Sequence, residues 1–150
     1  MSMDRSYVAR NDAERARLKA LVARASDADL SKPMPAEWTV AGVLGHLAFW
    51  DQRILALADA WERGVPPPPY SEADVDWIND AGKPFLLALP PRKAAELALA
   101  IAEAVDRKVE TLRDDVVAKN AAAGSPLNLS RAVHRKEHLD EIERVLPSRS

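Results

Sequence analysis

Three histidines, His46, His134 and His138, are the only ones in the chain. Each falls on an apolar stripe when its segment is read as a helix. His134 and His138 stand four residues apart, which separates them by about 40° around a helix axis and one turn along it, so their rings converge. Leu127, Ile142 and Val145 share that stripe, and Arg131 lies on it one turn before His134. His46 is flanked at helical spacing by Val43, Trp50, Ile54, Leu57 and Trp61, and so also points inward. A lone inward histidine is ordinarily a core residue whose ring nitrogens are hydrogen-bonded. Three at one place would be costly to desolvate and could not be charged together, whereas one divalent ion satisfies all three neutral nitrogens.

Three neutral nitrogen ligands leave such an ion its charge and open coordination positions. It can then lower the pKa of a bound water or thiol and hold the resulting anion. Imidazole suits zinc, nickel, iron(II) and manganese alike. The chain has no cysteine, so a thiol nucleophile would have to come from outside, as a low-molecular-weight cofactor. A glycine-rich phosphate loop, an HExxH motif and a Ser-His-Asp arrangement are absent from the sequence. Trp50 and Trp61 share the face of His46 and would either wall a small-molecule pocket or fill ordinary core. Arg131 is the candidate contact for an anionic group on substrate or cofactor, or else a plain helix-end cation. Asn79 has a helix-end reading and a weaker pocket reading.

The elements that must position these residues read as helices. Alanine and leucine abound, glycine is scarce, and alternating β-branched runs are missing, which makes the chain all-α. A first helix is expected from about Asp4 to Ala25, with Tyr7, Leu18, Val22 and Ala25 on its apolar face and Asn11 and Glu14 near the wet end of that face. Pro33 and Pro35 make SDADLSKPMPAEW a connection. A second helix runs from Val40 to Arg63, capped by Thr39 and ended near Gly64. Pro66 to Pro69 form a stiff extended linker. Ser71 caps a shorter helix carrying Val75, Trp77 and Ile78, disturbed near Pro84. A third long helix spans Arg92 to Arg113, and its alanine-rich surface suggests a homodimer. The loop AAAGSP follows. Ser125 and Pro126 open a last helix to about Val145, stopped by Pro147. The result is a four-helix bundle with one short extra helix.

A chain of 150 residues is one domain, 1–150, able to build a core without a structural metal, so the metal would serve chemistry. The net charge of −2, with both signs interspersed, gives no basic stripe and makes nucleic acid an unexpected partner. No signal-peptide pattern or stretch of transmembrane length is read, and the expectation is a cytoplasmic protein acting on a small-molecule substrate.

Three stretches carry a resemblance. EWTVAGVLGHLAFWD, Glu37 to Asp51, has a tryptophan and a hydroxyl residue opening a helix ahead of an inward histidine. HRKEHLDEI, His134 to Ile142, closes with HxxxH. The order is one histidine early and two late. Together they resemble the DinB/YfiT-like metalloenzymes over roughly Val8 to Val145. That resemblance implies an up-down-down-up bundle, with His46, His134 and His138 as ligands at a pocket at one end. It further implies relatives among thiol-dependent S-transferases and isomerases using mycothiol, bacillithiol or glutathione. The tone of the sequence is nearest the mycothiol-dependent maleylpyruvate isomerase-like branch. The reading from another class is a small-molecule binding or sequestering protein without turnover, and the third is a bundle whose histidines only fill its core.

Overall fold

The computed structural model describes residues 4–146. Four helices form the bundle: α1 (Tyr7–Arg24), α3 (Val40–Glu62), α5 (Pro91–Glu110) and α7 (Ala132–Val145). The remaining elements are α2 (Asp27–Leu30), the two-residue strands β1 (Pro33–Met34) and β2 (Trp38–Thr39), α4 (Glu72–Ala88) and α6 (Asp114–Ala122). Around the bundle α1 lies between α5 and α7, and α3 packs on both from the other side.

Side-chain contacts set the directions. Asn11 meets Ala132 and Arg17 meets Asp140, so α1 and α7 run parallel. Tyr7 donates to the Val109 carbonyl and Arg92 to the Ala25 carbonyl, so α1 and α5 are antiparallel. Lys108 reaches Asp59 and Glu62 at matching ends of α5 and α3. Asp51 pairs with Arg131 while His46 faces His138, which makes α3 and α7 antiparallel. The topology is up-down-down-up, and all-α apart from the two-residue strand pair.

The Thr39 hydroxyl accepts from the Gly42 amide and starts α3 as expected. Gly64, at φ +94°, lies just past its end. One and four residues before His46, Gly45 and Gly42 open a groove that takes Leu86, Leu87 and Leu89 from the end of α4 and the turn after it. A Cβ on Gly42 would come within 2.7 Å of the Leu87 side chain. This close approach lays α4 across the site end of α3.

Several expected boundaries move. The connection after α1 contains a helical turn capped reciprocally by Ser26 and Asp29, followed by the β1–β2 hairpin with Pro33 opposite Thr39. The extra helix is not short: α4 has 17 residues and continues through Pro84, which is exposed, so water can satisfy the carbonyl that Pro84 leaves without a donor. The third helix ends at Glu110, and a separate helix, α6, occupies Asp114–Ala122. The last helix starts at Ala132 rather than at Ser125–Pro126, because Ser125 adopts φ +58° and the following residues are irregular. Pro147 lies outside the described residues.

Asn11 is not at a wet end. It is 1% exposed, accepts from the amides of Arg131 and Ala132, and donates to the Leu129 carbonyl. It thus supplies the cap that α7 lacks at its own N-terminus. The alanines of α5 that suggested a self-associating face, Ala94, Ala95, Ala98 and Ala102, are buried in the bundle's own core. No helix among the described residues is long and apolar enough to cross a membrane.

Candidate metal centre

His46 projects from α3 toward the first turns of α7. Its Nε2 lies 3.2 Å from Nε2 of His134, which lies 3.1 Å from Nε2 of His138. The three rings are mutually edge-on, with centroids 4.7–5.0 Å apart. Two nitrogens bound to one ion at about 2.1 Å, at angles between 90° and 109°, would stand roughly 3.0–3.4 Å apart, so the observed separations fit shared coordination. Protons alone serve the arrangement poorly. The single Nε2 of His134 faces two partners, and a neutral ring nitrogen offers either one proton or one lone pair. On its other side, His138 Nδ1 lies 3.4 Å from Glu141 Oε2, which orients Nε2 toward the cluster.

Burial first and the neighbouring His138 second hold His46 down at about pKa 4. Burial, then His138 and His46, hold His134 at about 3, with Arg131 and Arg135 adding to the effect. Both rings are therefore neutral at pH 7, the state a metal ligand needs.

Beneath the histidines lies a buried ionic network. Arg135, 0% exposed, donates to both oxygens of Asp106 at 2.7 Å and to Asp51 at 3.2 Å. Arg131 Nε donates to Asp51 at 2.8 Å, and Arg15 reaches Asp106 at 2.6 Å. The network joins all four bundle helices and sets the register of α7, and with it the height of His134 and His138. Reading the sequence did not single out Arg135. The one available signal was three unlike charges, Asp51, Asp106 and Arg135, falling on otherwise apolar faces.

A cavity of about 630 Å³ opens beside the cluster, walled by Met34, Trp38, Val43, Val75, Lys83 and Glu141 together with the three histidines. Trp38 packs edge-on to His46 at 5.8 Å. Lys83 lies over Trp38 and donates to the Ala36 carbonyl, in a turn where Ala36 and Glu37 both adopt positive φ. This strained turn at the cavity rim was not foreseen.

The other residues singled out from the sequence fall in different places. Trp50 is half-buried and lines a second, smaller cavity, donating from Nε1 to Asn79 Oδ1 at 2.7 Å. Asn79 lies mid-helix and borders both cavities, so it has the pocket position rather than a helix-end role. Trp61 is away from the histidines, in a core with Tyr7, Ile54, Val105 and Val109. Arg131 borders the second cavity but is held by Asp51 and by the Asn128 carbonyl.

The sequence profile of the DinB superfamily matches residues 10–135. The chain belongs to the DinB superfamily. The match includes His46 and His134 and stops three residues before His138, which the structure brings to the same point. No curated protein and no solved structure matches the chain.

Proposed function

We propose that this DinB-superfamily protein is a divalent-metal-dependent enzyme acting on a small molecule, as a thiol-dependent S-transferase or isomerase. The observation that carries the reading is the convergence of three histidine Nε2 atoms, the outer two at 3.2 and 3.1 Å from the central one, on the wall of a cavity. His46, His134 and His138 would hold the ion, which supplies Lewis acidity and a lowered pKa to a bound thiol or water. The chain has no cysteine, which supports a thiol brought in as cofactor: mycothiol, bacillithiol or glutathione.

The residues around the cluster divide the remaining work. Trp38, Met34 and Val75 exclude water and accept an apolar electrophile. Glu141 fixes the His138 ring through Nδ1. Arg135 and its carboxylates hold α7 against α3, so that no conformational search precedes binding.

The test begins with metal analysis of protein purified without a histidine tag, followed by loading with zinc, nickel, iron(II) or manganese. Each form is then assayed with each thiol and a model electrophile. Rate enhancement that disappears in His46→Ala is expected. Hydrolysis without thiol would keep the metal and reject the transferase. Tight capture of a small compound with no turnover would assign a sequestering protein.

A further inference from the structure

The smaller cavity, about 340 Å³, shares His46 and His134 in its wall with the larger one. Two arginines line it. Arg131 is committed to Asp51. Arg53 makes no hydrogen bond or ion pair among the described residues. Its guanidinium instead lies over two aromatic rings, 4.5 Å from the centroid of Tyr70 and 5.5 Å from that of Trp50.

Cation–π contact of this kind uses none of the five N–H donors on the guanidinium edge. Each ring is itself anchored. Trp50 is fixed through Nε1 to Asn79 on α4. Tyr70 follows directly on Pro66–Pro69, whose restricted φ limits where the ring can go. The donor edge is thus preorganised toward a cavity and carries no internal counter-charge. Arg53 stands seven residues after His46, about 10 Å along α3.

We infer that Arg53, set over Trp50 and Tyr70, is the receptor for a terminal oxyanion, carboxylate or phosphate, of a ligand whose other end reaches the histidine cluster. Arg131, the candidate for that contact from the sequence, borders the same cavity but has its Nε paired with Asp51. The substrate class is then a small acid with an apolar body, lying along Ile54 and Val75. Only the statement that the ligand's far end reacts rests on the metal reading; capture of the oxyanion does not.

The experiment therefore uses metal-free protein. The side-chain Nε–H resonance of Arg53 is followed by NMR during titration with 3-phenylpropionate, benzyl phosphate and the neutral 3-phenylpropanamide. The expected result is that at least one of the two anions binds about tenfold or more tightly than the amide, with a shift of the Arg53 signal. The better anion separates carboxylate from phosphate. In Arg53→Gln the preference over the amide should vanish. In Arg53→Lys, which keeps the charge but not the fork, it should fall only in part. Equal binding of acid and amide, a preference that survives in Arg53→Gln, or no shift with any probe at millimolar concentration would each overturn the inference. Metal content measured separately on the same protein tests the metal reading, so the two can fail independently.

Discussion

Asp106→Ala tests whether the buried network, rather than the histidines themselves, holds the site together. Asp106 lies on α5, is 4% exposed, and is hydrogen-bonded to Arg135 and Arg15. Its removal leaves Arg135 with Asp51 at 3.2 Å and the Asn11 carbonyl at 3.2 Å, a cation in the core with half its neutralisation gone. Stranding one member of a buried ion pair is destabilising by about 3–5 kcal/mol. For a chain of this length that is a fall in Tm of roughly 6–20 °C, out of a total stability on the order of 5–15 kcal/mol. Urea and thermal unfolding followed by circular dichroism at neutral pH read it directly. The double variant Asp106→Leu with Arg135→Met leaves Asp51 paired with Arg131, removes both stranded charges, and should recover most of the loss. Arg135 Nε has no partner even in the native protein, which lowers what the pair contributes. The metal dissociation constant of Asp106→Ala, by competition with a chelator, should rise by about tenfold or more, since α7 carries two of the three candidate ligands. A loss below about 1 kcal/mol, or a double variant no better than the single, would refute the reasoning.

Asn11→Ala should be destabilising by about 3 kcal/mol, because two buried amides at the start of α7 lose their acceptor together; urea unfolding checks it. His138→Ala should sharply lower metal content while the helical circular dichroism signal stays intact, since the core rather than the ion supplies the folding energy; unfolding of the variant would make the metal structural. In metal-free protein, His46 near 4 and His134 near 3 take up protons less readily than the ordinary value of 6.5. The folded state binds fewer protons than the unfolded state in this range. Their contribution to stability is therefore full above pH 6.5 and falls as pH drops toward those values, by up to ~1.4 kcal/mol per pH unit for each ring. Urea midpoints at a series of pH values should decline more steeply for the native chain than for a variant with both histidines changed to Gln; equal slopes would contradict the shifts.

The histidine trio was legible because helical periodicity is a property of the chain alone. Four residues separate His134 from His138 whatever packs against them, and the apolar neighbours of His46 mark its face. Thr39 and Gly64 likewise declare the ends of α3 through local backbone chemistry. The start of α7 was not legible, since Ser125–Pro126 has the form of an N-cap and first turn. The helix begins six residues later, where Asn11, more than a hundred positions away, receives its free amides.

The same division separates the two arginines of the smaller cavity. Sequence spacing places Arg131 one turn from His134 and Arg53 two turns from His46, and offers no means of telling a paired cation from a free one. Pairing depends on which carboxylate a neighbouring helix brings within 3 Å or so, and that is a matter of bundle packing. Asp51 reaches Arg131, while the guanidinium of Arg53 lies over Trp50 and Tyr70 and has no ionic partner among the described residues. The sequence by itself determined the helical class and the inward faces of the three histidines, because both follow from local periodicity and propensity. The tertiary structure alone decided that those faces meet at one point, which charges neutralise one another beneath them, and which cation is left open, because burial and ionic pairing are set by distances between helices that no single helix encodes.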